Sequence, residues 1–258
     1  METKTHLGMN KTGVQMSPMD SSAMLQGLRQ FGPQADADRE DLRVRMEYAD
    51  ATEGLGSVPV PGTFKGMVKS GADMIGGARP QVLVDKLGER LAFERAGVRL
   101  YDTLLAKCSA ATDTVALSAA DRESLGRFRD EEAQHAKILV SALETLGADP
   151  TAQTPCADLV GVQGMGLIQA MNDPRTSLVQ SLNVMLSAEL LDNAGWELLI
   201  ELAGAAGHDE IARRCTMAAT QEAEHLDVLR DMVRQMVLRD ASLTGSAMAA
   251  EAAGAGAP

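Results

Sequence analysis

The sequence predicts an all-α protein whose main domain is an antiparallel four-helix bundle. After residue 80, four long segments repeat apolar residues at steps of three and four, which is the spacing of one helix face. Connections within each pair of segments are short, whereas the two pairs are separated by roughly 25 to 30 residues, enough for one long crossover between two hairpins. Of the 258 residues, 45% are apolar and only 3% aromatic, so we expect a core of Leu, Val, Ala and Met.

Residues 1–80 differ in composition and are predicted to form an N-terminal arm, mostly irregular with short helices. Prolines mark a loop at residues 57–62, and a short helix is expected within residues 64–74. Eight methionines, counting Met1, fall in this region. They suit soft-metal binding, but the favoured interpretation is apolar filling of irregular gaps. We expect the arm to cover the bundle or a partner subunit.

The first predicted hairpin pairs helices over residues 81–108 and 118–146. The face of the first helix contains Leu87, Leu91, Glu94, Val98, Tyr101 and Leu105. The face of the second contains Leu125, Phe128, Glu132, His135, Leu139, Ala142 and Leu146. Ionisable residues therefore occupy positions that normally face a hydrophobic core.

The second predicted hairpin begins near Asp173, a favourable N-cap followed by Pro174, and its first helix ends near Gly204. That helix has Leu178, Leu182, Met185, Glu189, Asp192, Trp196 and Leu199 on one face. After a turn around Gly207, the last helix has Ile211, Cys215, Ala218, Glu222, His225, Leu229, Met232 and Met236. The bundle thus spans residues 81–240, and the Ala- and Gly-rich residues 241–258 are predicted to be a disordered tail.

Net charge, cysteine usage and hydropathy narrow the possible classes of function. A formal charge of −12 argues against binding to nucleic acid or to anionic membranes. Cys108, Cys156 and Cys215 form no CxxC motif, so neither a zinc knuckle nor a dithiol redox site is expected, and their odd number suits a reducing cytosol. We see the pattern of neither a signal peptide nor a membrane span, and expect a cytoplasmic protein.

Two of the four histidines follow a glutamate by three residues, in Glu132-Ala-Gln-His135 and Glu222-Ala-Glu-His225. On a helix this spacing places both side chains on one face, about 5 to 6 Å apart. A glutamate and a histidine so placed can bind one metal ion or two neighbouring ions. The two pairs are therefore predicted to form the centre of a metal site.

A lone glutamate lies on the face of the helix that precedes each pair. Glu94 lies 38 residues before Glu132, and Glu189 lies 33 residues before Glu222, so the two halves resemble a degenerate repeat. Burying four carboxylates and two imidazoles without partners would cost several kcal/mol per charge. Two divalent cations would remove that cost, and the mixed donor set favours iron or manganese over zinc.

In chain order, these residues resemble the six ligands of the ferritin-like superfamily of carboxylate-bridged di-iron proteins: Glu94, Glu132, His135, Glu189, Glu222 and His225. The resemblance covers residues 81–240 and implies two bound iron ions, with manganese as the alternative.

The same resemblance suggests roles for two further residues. Tyr101, seven residues after Glu94, matches a tyrosine beside the metals in ferritins and rubrerythrins and is a candidate catalytic residue. Asp192, three residues after Glu189, matches a second carboxylate of rubrerythrins and is a candidate seventh ligand, although its side chain is one methylene shorter. Glu131 and Glu224 lie beside the apolar faces and are expected at the surface or around the ligands.

The resemblance implies three functions. The first is oxygen- or peroxide-dependent redox chemistry, as in a rubrerythrin-like peroxidase or oxidase. The second is ferroxidation for iron storage or delivery, and the third is a manganese catalase-like reaction. Rubrerythrins usually carry a rubredoxin-like domain with paired CxxC motifs, and this chain has none, so an electron donor would be external. The long arm is not typical of a cage-forming ferritin, and we therefore expect a homodimer or another small homo-oligomer.

Overall fold

The computed structural model describes residues 17–32, 37–60, 79–111 and 117–241, and these residues form seven helices and no strand. The helices are α1 (Pro18–Phe31), α2 (Ala37–Ala51), α3 (Pro80–Ala110), α4 (Ala119–Thr145), α5 (Pro155–Asn172), α6 (Leu178–Ala205) and α7 (Asp209–Asp240). The all-α prediction is confirmed for this part of the chain. None of these helices is both long enough and apolar enough to cross a lipid bilayer.

Helices α1 and α2 belong to one compact unit, and α3 to α7 belong to another. Helix α1 buries none of its side chains, and α2 is rich in charged residues, with an ion pair between Arg45 and Asp41. Two helices therefore lie within the predicted arm. The helix expected within residues 64–74 and the tail after residue 241 lie outside the described residues, so the domain limits stay a prediction.

The second unit is built around α3, which packs against α4, α5 and α6. Helix α7 packs against α6 and α4, and α5 also contacts α6. The core consists of two apolar clusters. One contains Leu104, Leu125, Phe128, Leu182 and Met185, and the other contains Leu87, Leu139, Trp196, Leu199 and Cys215.

The ionisable face residues lie between these two apolar clusters. Along α4, Phe128 belongs to the first cluster and Leu139 to the second, with Glu132 and His135 between them. The other three long helices are arranged in the same way, although α3 and α7 pass from the second cluster to the first. A polar layer therefore crosses the middle of the apolar core.

The structure corrects the prediction for the connection between the two hairpins. Residues predicted as a crossover contain a complete helix, α5, which begins after Thr154 with Pro155 in its first turn. The next helix begins at Leu178 and not at the predicted Asp173-Pro174, because Ser177 and Gln180 form a reciprocal capping box there. Asp173 instead follows the end of α5.

Helix α5 is fixed to α3 by polar contacts. The backbone N–H of Cys156 donates to Asp85 Oδ1 at 2.9 Å, and Lys107 Nζ donates to the backbone oxygens of Asp173 and Thr176. The Thr154 side chain also lies over Gly88, where a Cβ would come within 2.7 Å of its hydroxyl. These contacts hold the connection against the bundle that carries the polar layer.

The predicted face of α3 is partly wrong. Val98 and Leu105 are only half-buried, whereas Gly97 and Leu104 are buried. The apolar faces predicted for α6 and α7 are buried throughout.

Candidate metal centre

Four helices each contribute to one buried cluster of carboxylates and imidazoles. Helix α3 provides Glu94, α4 provides Glu132 and His135, α6 provides Glu189 and Asp192, and α7 provides Glu222 and His225. Every one of these side chains is at most 2% exposed. All seven residues that the sequence nominates as ligands thus lie in the same polar layer.

His135 turns its Nδ1 atom toward the glutamates of two other helices. Nδ1 lies 2.6 Å from Glu222 Oε1 and 3.6 Å from Glu94 Oε2. The lone pair of this nitrogen therefore faces two carboxylates, an arrangement that suits an imidazole ligand of a metal ion.

His225 faces the other side of the same cluster. Its Nδ1 atom lies 3.2 Å from Glu222 Oε2 and 3.8 Å from both Glu132 Oε1 and Glu189 Oε2. The two imidazole rings have centroids 6.1 Å apart. Glu222 lies between the two rings and presents one oxygen to each.

Three overlapping sets of donor atoms lie within 4.8 Å of one another: Glu132, Glu189, Glu222 and His225; Glu94, His135 and Glu222; and Glu94, Glu132, Asp192 and Glu222. Glu222 is common to all three sets. The overlap means that two neighbouring metal positions would share carboxylates, which is the arrangement of a two-metal centre.

The outer nitrogen of each imidazole has a partner that precedes a predicted ligand. His225 Nε2 donates to Glu131 Oε2 at 2.7 Å, and His135 Nε2 donates to Gln221 Oε1 at 3.0 Å. These bonds place the proton on Nε2 and leave Nδ1 free to bind a metal. Glu131 is buried, and its carboxylate contacts His225. It therefore lies around the ligands, which is one of the two placements expected for it.

Sequence reasoning did not single out Gln221. Its signal was present, since it stands immediately before Glu222 just as Glu131 stands before Glu132.

Arg90 was also not singled out, although it is 4% exposed and lies beside the cluster. Its Nη1 atom is 2.9 Å from Asp192 Oδ1, and its Nε atom is 3.7 Å from Glu94 Oε1. The guanidinium stacks on Phe93, and Gly195 leaves room for it, because a Cβ at that glycine would overlap Nη1. The sequence signal was the spacing of four between Arg90 and Glu94 on a buried face.

Asp192 is consequently shared between two environments. Its carboxylate pairs with Arg90, yet an oxygen also lies within 4.8 Å of donor atoms from Glu94, Glu132 and Glu222. Asp192 therefore lies in the cluster, but its carboxylate is closer to the Arg90 guanidinium than the carboxylate of Glu94 is.

Tyr101 is fully buried next to the His225 side of the cluster. Its hydroxyl donates to Glu189 Oε1, and its ring meets the imidazole of His225 edge-on with centroids 6.3 Å apart. The hydroxyl therefore holds one predicted ligand in position.

Burial and mutual repulsion raise the pKa values of four carboxyls of the cluster, those of Glu132, Glu189, Asp192 and Glu222. Burial is the main cause for Glu132 and Glu222, whose pKa values lie well above the usual range, and neighbouring carboxylates add to the shift. Burial together with the charge of Asp192 raises the pKa of Glu189 to about 8. Burial raises the pKa of Asp192 to about 7 even though Arg90 lowers it.

The two imidazoles differ in their pKa values. Burial lowers the pKa of His225 to about 4, although Glu131 opposes the shift. Burial also lowers the pKa of His135, but the carboxylate of Glu94 more than offsets it, so the net shift is upward. Burial raises the pKa of Tyr101 far above its usual value, and the charges of Glu189 and Glu132 raise it further.

Many polar atoms of this cluster have no hydrogen-bond partner among the described residues. They include both oxygens of Glu94 and Glu222, one oxygen each of Glu132 and Glu189, Oδ2 of Asp192, and Nδ1 of both histidines. Buried polar atoms are rarely left unpaired, because each costs roughly 1 to 3 kcal/mol. The unpaired atoms all belong to good metal-ligating groups and converge, so the residues present fit a pair of cations.

A family model described as a ferritin-like domain matches residues 84–235. The chain belongs to the ferritin-like domain family. The match includes every residue of the buried cluster of this ferritin-like domain, together with Arg90, Glu131 and Gln221. No curated protein and no solved structure gave a significant match to the chain.

Proposed function

We propose that this ferritin-like protein binds two iron ions and uses them for redox chemistry with oxygen or peroxide. The observation that carries the proposal is the convergence of four glutamates and two imidazole Nδ1 atoms, with Glu222 common to all donor sets. Helix α3 packs against α4, and α6 packs against α7, which supports the proposed ferritin-like arrangement of two antiparallel hairpins joined through α5.

The charge of the buried layer fits two divalent cations. Five carboxylates from Glu94, Glu132, Glu189, Asp192 and Glu222 give −5, and Arg90 gives +1, for a sum of −4. Two divalent ions neutralise that charge. None of the three donor sets found among the described residues contains a cysteine, and oxygen donors with two imidazoles suit iron or manganese.

The geometry assigns different tasks to the ligands. Glu222 would be shared between the two metal positions, since it presents one oxygen to each imidazole. Glu94 and His135 would serve one position, and Glu189 and His225 the other. Glu132 reaches both groups of donors and would be a second shared carboxylate.

Two bound ferrous ions would supply the two electrons that, together with two protons, reduce one hydrogen peroxide to two waters. Around them, Phe128, Leu139 and Trp196 close the polar layer on both sides and exclude bulk water. Tyr101 keeps Glu189 oriented through its hydroxyl. So closed a core favours a small oxidant over a bulky organic substrate.

The test is consumption of oxygen and of hydrogen peroxide by protein loaded anaerobically with ferrous iron. We expect rapid consumption by the wild type and background rates for the Glu132→Ala/Glu222→Ala double variant. Wild-type protein that holds two irons but reacts with neither oxidant any faster than free iron does would overturn the proposed redox chemistry. Continued oxidation of iron far beyond two ions per chain, with mineral formed inside an assembly, would favour ferroxidation for storage.

A further inference from the structure

The two imidazoles of the centre have chemically different outer partners, although their helices repeat the same pattern. In α4 the residue before Glu132 is Glu131, and it accepts a hydrogen bond from His225 of α7. In α7 the residue before Glu222 is Gln221, and it accepts a hydrogen bond from His135 of α4. Each of the two helices thus provides the acceptor for the histidine of the other helix, but one acceptor is a carboxylate and the other is a neutral amide.

This difference changes how strongly each imidazole donates to a metal. A carboxylate that accepts the outer N–H draws the proton and makes the inner nitrogen more electron-rich, whereas an amide oxygen does so less. The carboxylate of Glu131 is itself held by Arg127, with 3.1 Å between Arg127 Nη1 and Glu131 Oε1, and Arg127 also pairs with Glu224. The acceptor of His225 is therefore charged and fixed in place.

The position of Arg90 adds to the same asymmetry. Its guanidinium lies 3.7 Å from Glu94, which is a donor on the His135 side. On the His225 side, the corresponding carboxylate, Glu189, accepts a hydrogen bond from the neutral hydroxyl of Tyr101. Arg90 pairs with Asp192 at 2.9 Å, which balances its charge, and its guanidinium competes with a metal cation for the Glu94 carboxylate on the His135 side.

We propose that the two metal positions are unequal, that the His225 position binds its ion first and more tightly, and that Glu131 and Gln221 set much of the difference. The inference rests on the proposed two-metal centre but not on its reaction with oxygen. Glu131 and Gln221 are positioning residues, because they act on the metal through the imidazoles.

Anaerobic titration with ferrous iron alone tests the inference. We expect two binding steps for the wild type, with dissociation constants at least about 10-fold apart. Glu131→Gln should weaken the tighter step about 10-fold or more, and Gln221→Glu should strengthen the weaker step. The double variant Glu131→Gln/Gln221→Glu should make His135 the more strongly donating imidazole, so that the tighter iron position lies on the His135 side.

Mössbauer spectra of the same samples, enriched in ⁵⁷Fe, identify the positions without any turnover. At one iron per chain, the wild type should show a single dominant quadrupole doublet, and His225→Ala should abolish it while His135→Ala leaves it. In the Glu131→Gln/Gln221→Glu double variant, the other quadrupole doublet should dominate at one iron per chain. Glu224→Gln is the matched control, since it removes a carboxylate bound to the same Arg127 but not to an imidazole, and its binding steps should be unchanged.

The outcomes separate this inference from the proposed function. Two equal binding steps, or steps that move less than about twofold in both Glu131→Gln and Gln221→Glu, would overturn the inference alone. Two unequal steps in a protein that reacts with neither oxidant would support the inference and overturn the proposed redox chemistry. A wild type that binds no iron would overturn both.

Discussion

At the scale of single residues, Arg90 is the charge on which the buried layer depends. It is the cation closest to Asp192, and its side chain is almost wholly withdrawn from solvent. Buried ion pairs add little net stability, but removal of one partner leaves an uncompensated charge in a medium of low polarity. We therefore expect Arg90 and Asp192 to be coupled energetically.

We predict that Arg90→Met at pH 8 lowers the free energy of unfolding of the metal-free protein by about 3 kcal/mol. Arg90→Met/Asp192→Asn should recover a large part of that loss, because the charge that needed Arg90 is gone. Urea denaturation measures both values. Lys86→Met removes a more exposed pair with Glu89 on the same helix and should cost less than about 1 kcal/mol. Equal losses in Arg90→Met and in the double variant would show that the two residues are not coupled.

The carboxyl pKa values predict a pH dependence for the metal-free protein. The folded-state pKa values of Glu189 and Asp192, about 8 and about 7, lie above those of the unfolded chain. Their contribution to the free energy of unfolding is therefore complete at low pH and is lost as the pH rises through 7 and 8. His225, with its lowered pKa of about 4, contributes above pH 6.5 and loses its contribution only on acidification.

Between pH 6.5 and 8.5, deprotonation of Glu189 and Asp192 consequently dominates the pH dependence. The free energy of unfolding of the metal-free protein should fall by on the order of 1 kcal/mol per pH unit. Denaturation of chelator-treated protein across this range measures the slope. The metal-loaded protein should show a much flatter profile, because the cations replace the protons on the carboxylates. A metal-free protein whose stability rises or stays constant over the same range would refute the assigned pKa shifts.

At the scale of helices, the sequence is informative where a buried face repeats without interruption. The faces of α6 and α7 could be predicted residue by residue, because Leu, Met and Ala recur there at regular spacing. The face of α3 could not, because its buried positions include Arg90 and Gly97. An arginine and a glycine do not look like core residues until the carboxylates opposite them are known.

 Helix α5 was missed for a different reason. Its sequence is apolar and contains three glycines, Gly161, Gly164 and Gly166, and a Cβ at any of them would meet nothing within 4 Å. Glycine is a poor helix former, so this segment resembles a loop in sequence. The signal for a helix was its start, where Thr154 accepts from the Ala157 N–H and Pro155 follows.

Gly97 of α3 offers a test of how a helix face makes room for the centre. A Cβ at Gly97 would overlap Glu132 Oε2, whereas a Cβ at Gly126 of α4 would meet nothing within 4 Å. We predict that Gly97→Ala displaces the Glu132 carboxylate and weakens iron binding about 10-fold or more. Gly126→Ala, the matched control, should leave iron binding unchanged and stabilise the fold by about 0.5 to 1 kcal/mol. Anaerobic iron titration and thermal unfolding measure both effects. Wild-type iron affinity in Gly97→Ala would contradict the assigned role of Glu132.

At the scale of the whole molecule, the assembly state separates redox chemistry from storage. We predict a homodimer or another small homo-oligomer, because the sequence predicts a long arm over residues 1–80 and α1, which lies within these residues, buries none of its side chains. Light scattering on the purified full chain should give a mass near twice that of one chain. A mass of dozens of chains would indicate a cage able to enclose mineral and would reverse the order of the two functions.

We propose that the buried layer binds two metal ions through Glu132 and Glu222 together with the other four predicted ligands. Metal analysis of protein reconstituted with ferrous iron and freed of excess metal tests it most directly. We expect two irons per wild-type chain and two in the control Glu123→Ala/Glu210→Ala, which changes exposed glutamates of the same two helices. We expect loss of both irons in Glu132→Ala/Glu222→Ala, with helical content retained because removal of buried like charges relieves repulsion. Two tightly bound irons in that last variant would show that the metal site lies elsewhere.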